Sequence, residues 1–359
     1  MVAKTGQPEE TEAIKLQHKF LCGLGGSVKN NIFFLEDSQT IIYPCGHNIV
    51  IYNMDDRSQK YIQGIEGTEC ITALDLSPSK RLLAVCERAE RAICRIFDVQ
   101  TQKRRKVLTS MDYNSKEFVS VNFAPSAEKT HLVTLTAEPE IRVIIWTWDK
   151  GRCLANQVIT GISGNMTVTQ CSFHIQDQNA IIVTGNSIFK YYRIADSNSL
   201  KTIHNQIAKK DVHISNNYTC HSWLPDGRLI ICTDQGEIML LETDGSYKMQ
   251  LESPGDGFHI ECVQTFSKGF IIGGDNGQIY IYEKSEEPKN PYNSSPLLPQ
   301  QSDKNDKSDY HELMASVMTS RIKCMTLSST DDMIVFTTEN NQIMKAAFSI
   351  DRANDDCKY

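Results

Sequence analysis

The sequence predicts an all-β chain: a seven-bladed β-propeller closed by an N-terminal strand that completes the last blade. Three observations carry this. A single phrase recurs at intervals of roughly 40–50 residues, the period of a propeller blade. It consists of two short apolar strands, a tight turn and a third strand ending in an aromatic or aliphatic residue followed by a polar one. The endings are Tyr52-Asn53, Phe97-Asp98, Trp146-Thr147, Leu241-Glu242, Tyr282-Glu283 and Phe348-Ser349, with a degenerate copy at Tyr192-Arg193-Ile194. The strands of the phrase are nearly continuous apolar runs, which suits strands covered on both faces. Turn residues also keep register with those strands from one copy to the next.

The second copy shows the pattern in full. Ile71 to Leu76 is followed by Ser77-Pro78-Ser79-Lys80, then Leu82 to Cys86, then Ala92 to Phe97. The fourth segment, Lys103 to Leu108, is far more polar and reads as the outer edge strand, where Lys and Arg discourage edge-to-edge pairing. Proline follows the first strand at Pro78, Pro125 and Pro225, as the fixed φ of a tight turn favours. Asp234-Gln235-Gly236, Asp275-Asn276-Gly277 and Asn340-Asn341 tolerate the left-handed backbone of hairpin turns between second and third strands. Asp149-Lys150-Gly151 and Asp244-Gly245 do the same between third and fourth.

First strands begin near Asn31, Ile71, Phe118, Val168, Tyr218, Ile260 and Ile322, giving seven blades. The seventh lacks a fourth strand of its own, and Ile14 to Cys22 has the length to supply it, which would tie both ends together. A helix from Glu9 to Phe20 is the competing reading. Residues 1–13 are expected to lie outside the fold, 14–350 to form the propeller and 351–359 to be a tail. Within the propeller, 285–309 is rich in Pro, Ser, Asn, Asp and Lys and buries too little apolar surface to offset its ordering entropy. It is expected to be a mobile insertion, plain disorder rather than a docking segment, ahead of an outer strand at His311 to Val317.

Composition narrows the function classes. The chain has 359 residues, past the roughly 250–300 at which a single core stops growing, so a repeat array is the economical arrangement. No apolar run approaches the ~20 residues of a membrane helix and the first residues hold no signal-peptide core. A soluble, intracellular protein is expected, without membrane contact. A formal charge of −7 argues against general nucleic-acid binding. The twelve cysteines stand singly in apolar runs with no C-x-x-C spacing and read as small buried hydrophobes in a reducing compartment.

Catalytic signals are sparse, and no cofactor or metal is expected. His47, His174 and His221 lie at or beside strands without H-x-x-H spacing, which marks structural histidines more often than ligands. Gly23-Leu24-Gly25-Gly26-Ser27 resembles a phosphate-cradling loop, but a strand-like segment follows where such a loop needs a helix. A propeller enzyme would need carboxylates and histidines gathered at one end of the inner strands, and Asp75, Asn122 and His174 share no consistent chemistry. Phe33, Phe34, Trp146, Trp148, Tyr191, Tyr192 and Trp223 read as core between blades. Lys103-Arg104-Arg105-Lys106 is the only dense basic run. It reads as a solvated edge, or as a partner-binding strip for an acidic surface such as a tubulin tail.

At the level of wording, the copies resemble the N-terminal propeller of the cilia- and flagella-associated protein 57 family, a WD-repeat family. The stretches that carry the resemblance run from Asn30 to Asn53, Lys103 to Leu108, Val183 to Ile194, His221 to Glu242 and Phe266 to Lys284. The resemblance implies a WD40-like fold and a non-catalytic scaffold in the axoneme of the cilium or flagellum. Its implied partners are inner-arm dynein components and doublet microtubules, and its implied role is in ciliary beating. A WD-repeat adaptor of another cytoskeletal or trafficking complex is the alternative. Family members are much longer, with a second propeller and a coiled coil, so the resemblance implies a fragment or short form. Among the third-strand endings only Phe97-Asp98 keeps the aspartate of the WD pattern, and Gly-His occurs only as Gly46-His47. The Asp-His-Ser/Thr-Trp network of typical WD blades is thus expected to be mostly missing, with packing left to hold the blades.

Overall fold

The computed structural model describes residues 21–109, 114–126, 130–160, 166–208, 215–255, 257–285, 291–296 and 320–347. Seven antiparallel sheets are formed by these residues, each a meander in sequence order, six of four strands and one of three. The innermost strands are Phe33–Phe34, Cys70–Leu76, Phe118–Phe123, Thr167–Phe173, Tyr218–Trp223, Ile260–Phe266 and Ile322–Leu327. They face a central channel, and the sheets stand around it as blades 1 to 7. The fold is the seven-bladed propeller that the periodicity predicts.

Its apolar interior is not one core but seven slabs, each between neighbouring blades. Blades 2 and 3 share Cys94, Leu108, Phe118 and Trp146. Blades 5 and 6 share Ile230, Leu240, Phe270 and Tyr282. The ring closes through Phe34, Tyr43 and Val50 of blade 1 against Cys324 and Val335 of blade 7. Burial on both faces explains the unbroken apolar runs, since the middle strands of a blade touch a slab on either side. Trp146, Tyr191, Tyr192 and Trp223 are buried in these slabs, and Trp148 packs at their margin. Eight of the eleven described cysteines are buried and all eleven are free thiols.

The turns also follow their chemistry. Gly151 (φ +66°) and Gly245 (φ +83°) supply the left-handed residue that turns third strand into outer strand in blades 3 and 5. The outer strand of blade 2 spans Arg104–Leu108 and leaves Arg104, Arg105 and Val107 exposed while burying Leu108.

The outer strand of blade 6 is Tyr292–Pro296, not His311 to Val317, so it lies inside the stretch read as an insertion. Tyr292 decides this: it is buried against Phe270 with ring centroids 5.3 Å apart, and its backbone pairs with Lys284. One aromatic anchor and five backbone pairs hold a strand whose other residues are Asn, two Ser and Pro. Residues 311–317 and the rest of the proposed insertion after 296 lie outside the described residues, as do 1–13 and 351–359. The ring-closing strand is likewise outside them except at its end. Leu21 donates its N–H to Gln59 Oε1 (2.9 Å) and packs with Met333 and Ile343 between blades 7 and 1. Among the described residues blade 7 ends at Ile343–Ala347, a third strand that is only partly covered.

Candidate functional site

The innermost strands converge on the channel, and their sequence explains how they line it. In blades 2 to 7 the pairing of first and second strands slips by one residue near the start, a β-bulge at Thr72, Val119, Thr169, Thr219, Glu261 and Lys323. The slip places one extra residue per blade at the same height on the ring. In blade 2 this residue reaches across to the next blade, Thr72 Oγ1 donating to Phe118 O (2.7 Å). Thr169 Oγ1 contacts both Thr184 O (3.1 Å) and Tyr218 O (3.3 Å).

Further along the same strands a second tier of links runs from blade to blade. Asp75 Oδ2 accepts the Phe123 N–H (2.7 Å) and Asn122 Oδ1 accepts the Phe173 N–H (2.9 Å). Asn122 Nδ2 also donates to Asp75 (3.3 Å), and Gln170 exchanges bonds with the His221 N–H (3.2 Å) and carbonyl (3.0 Å). Burial pushes the Asp75 carboxyl up to about 7, against the opposing pull of the Phe123 and Leu76 N–H groups and the Asn122 amide. Two of the three residues weighed as an enzyme centre are therefore interblade links. The third, His174, accepts the N–H groups of Gln176 (3.0 Å) and Asp177 (3.1 Å) at Nδ1, its ring 4.4 Å from that of Trp223.

The expectation that packing alone holds the blades needs correction. His221 is buried, its Nε2 2.7 Å from Ser172 Oγ and its Nδ1 2.8 Å from Thr184 Oγ1. Trp223 Nε1 donates to Ser172 Oγ (2.9 Å), completing a His-Ser/Thr-Trp cluster across blades 4 and 5 without an aspartate. Burial, helped by the charge of Lys29, pushes the His221 imidazole down to about 3, so it stays neutral. Sequence reading missed this cluster because its members come from two copies of the repeat and the aspartate that normally marks it is absent. His47 sits exposed on the turn between the second and third strands of blade 1.

Among the described residues two adjoining cavities lie along the channel. One, of about 320 Å³, lies at the end where the inner strands finish, with Asp75, Asn122, Ser172 and Trp223 on its wall. The other, of about 170 Å³, lies where they begin, with Lys29, Glu261 and Lys323 on its wall. Glu261 is bonded to Lys323 Nζ (2.6 Å) and His259 Nε2 (3.2 Å). Burial raises its carboxyl, but these two partners prevail and hold it down at about 2. Among the described residues no three of His, Cys, Asp and Glu are arranged to hold a metal ion.

The basic run lies far from the channel, on the outer edge of blade 2. Arg105 is tied to Asp98 (2.6 Å), which also accepts the Thr101 N–H (2.9 Å) and faces Arg81 (3.5 Å). The Arg105 guanidinium first, and then Thr101, hold the Asp98 carboxyl well below the usual range. The one aspartate kept in the WD position therefore secures the turn into the basic strand. Lys103 and Arg104 are exposed, and Lys106 is half-buried beside Gly151 of blade 3.

The profile of the CFAP43 N-terminal domain matches residues 29–290. The chain belongs to this family. Cilia- and flagella-associated protein 57 A of Tetrahymena thermophila is 31% identical over 346 residues, covering 81% of this chain and 27% of that protein. Cilia- and flagella-associated protein 57 of Mus musculus is 28% identical, covering 91% of this chain and 28% of that protein. The resemblance read from the repeat wording is thus borne out, and the chain spans just over a quarter of the length of these relatives. A chain in a crystal structure of the mitotic checkpoint complex superposes with a TM-score of 0.66, covering 97% of this chain and 98% of that one at 11% identity. That likeness concerns the fold alone.

Proposed function

We propose that this propeller is a non-catalytic interaction platform of the ciliary or flagellar axoneme, supporting assembly or regulation of the inner dynein arms. The observation that carries this reading is the likeness to a cilia- and flagella-associated protein across 91% of the chain, nearly the whole propeller. The channel is consistent with it: the carboxylate, amide and imidazole groups nearest to a catalytic arrangement are engaged in holding blades together. Binding then falls to loops and edges, where propellers present broad surfaces. The outer strand of blade 2 is the proposed docking edge, with Lys103, Arg104 and Lys106 facing an acidic partner such as a tubulin tail on the doublet and Arg105 braced by Asp98.

The test is localisation in ciliated cells of the tagged chain and of a variant carrying Lys103→Glu, Arg104→Glu and Lys106→Glu. The expected result is axonemal signal for the parent and at least a severalfold loss for the variant, with an unchanged melting temperature. A cytoplasmic parent with empty axonemes would overturn the axonemal reading. Equal retention of both chains would overturn the docking edge.

A further inference from the structure

Blade 1 opens differently from its six neighbours. Its innermost strand spans only Phe33–Phe34, whereas the others run six or seven residues. The reason is partly covalent: Pro44 lies in the second strand and has no N–H to offer a longer partner. The Gly25 N–H donates to the Pro44 carbonyl (2.8 Å), and the chain then bows away from its own blade. Lys29 forms an isolated parallel bridge with Ala73 of blade 2 instead, its N–H donating to Thr72 O (3.1 Å) and its carbonyl accepting the Leu74 N–H (3.1 Å). The segment Gly26 to Asn30 thereby forms part of the wall of the smaller channel cavity.

That geometry carries the Lys29 side chain into the cavity, opposite blades 6 and 7. Lys29 is partly buried, and among the described residues its ammonium has no hydrogen-bond or ion-pair partner. Among the described residues Glu261 is the only carboxylate on the cavity wall, and Lys323 and His259 already occupy it. Two ammonium groups therefore face one carboxylate. A chain whose formal charge is −7 holds surplus positive charge at one mouth of its channel. The remaining polar wall offers Ser27, Asn30, Gln170 and Gln264 and the thiols of Cys220, Cys262 and Cys324, none of which carries the negative charge that would neutralise an ammonium. An unpaired cation in a partly dehydrated recess gains from a counter-charge, and Lys acts as a point-charge partner for oxyanions.

We propose that this mouth is a binding site for a small oxyanion, phosphate-like or carboxylate, held between Lys29 and Lys323. A cavity of about 170 Å³ suits an ion of that size rather than a nucleotide. The bulge positions of blades 6 and 7, Glu261 and Lys323, set the site's far wall, and the bowed strand of blade 1 sets the near one.

The test uses the full chain at pH 7 and constant ionic strength, titrated with inorganic phosphate. Phosphate ³¹P line width and protein melting temperature are both followed. The expected result is saturable broadening and a saturable rise in melting temperature. Affinity should fall by about tenfold or more in Lys29→Met and be retained in Lys29→Arg, since tenfold corresponds to about 1.4 kcal/mol. Acetate competing at similar concentration identifies a carboxylate-type site, and failure to compete identifies one that requires the phosphate dianion. Absence of broadening with the parent chain overturns the proposal, whatever the variants do. So does a rise linear in phosphate, or one equal in Lys29→Met.

Discussion

Blades 2 to 5 and the arc formed by blades 6, 7 and 1 line the same channel with different chemistry. In the first region, a neutral arc in that its inner-strand links are hydrogen bonds rather than ion pairs, side chain meets backbone from blade to blade: Thr72 to Phe118, Asp75 to Phe123, Asn122 to Phe173, Gln170 to His221. In the second, the equivalent bulge positions carry Glu261 and Lys323, which pair as ions, and Lys29 faces them unpaired. The neutral arc also holds the His221-Ser172-Trp223 cluster, whereas blades 7 and 1 are joined by Phe34 N–H to Thr326 Oγ1 (3.3 Å), Ser329 N–H to Ser38 Oγ (3.1 Å) and a buried bond from Thr337 Oγ1 to Asn31 Oδ1 (2.9 Å). Links to backbone N–H and C=O groups cost side-chain freedom but fix geometry. Ion pairs at a channel mouth are screened by solvent and leave charge to recognise a ligand. The comparison teaches that one repeat position serves stiffness in one arc and recognition in the other.

Three measurements would break or sharpen that contrast. Trp223→Ala removes a buried indole and the donor to Ser172, and should cost about 3–5 kcal/mol in denaturant unfolding. A loss below about 1 kcal/mol would mean the neutral arc is not the stiff one. Asn122→Ala removes one bond to Phe173 and one to Asp75 and should cost roughly 1–3 kcal/mol. Hydrogen exchange should report the loosening first at blades 3 and 4.

Glu261→Gln should have the smallest effect near neutral pH, about 1 kcal/mol or less and fading with added salt. Its signature lies in acid. The Glu261 carboxyl is held at about 2 in the folded chain against an ordinary value of 4.5, so its contribution is present above pH 4.5 and lost as pH falls toward 2. A Glu261→Gln chain should lack that component of acid destabilisation. An identical pH profile for both chains would remove the ion pair from the account.

Much of the ring could be read in the sequence because blade strands are buried on both faces, and double burial writes itself as apolar runs. The starts at Ile71, Phe118, Tyr218, Ile260 and Ile322 fall within one residue of the observed strands. The outer strand of blade 6 was not legible, because its only apolar signal is Tyr292 in a stretch otherwise rich in Pro, Ser and Asn. The channel chemistry was hidden for another reason. Glu261 and Lys323 are ordinary charges until the one-residue slip of their strands is known, and Lys29 until its bridge to Ala73 is; slip and bridge belong to the pairing, not to either strand alone. One trace was present: Cys220, Cys262 and Cys324 each follow a bulge residue, so cysteines that read as scattered small hydrophobes mark equivalent places on three blades.

The seven shared slabs have a further consequence for how the molecule tolerates damage. No blade has an inside of its own; each supplies half of two walls. A cut in a connection such as 63–69, between blades 1 and 2, removes no residue from the wall those blades share. Excision of a single blade bares two unlike half-walls at once, one on each side of the gap, that never evolved to meet. The smallest complete wall in such a ring takes a pair of blades to build.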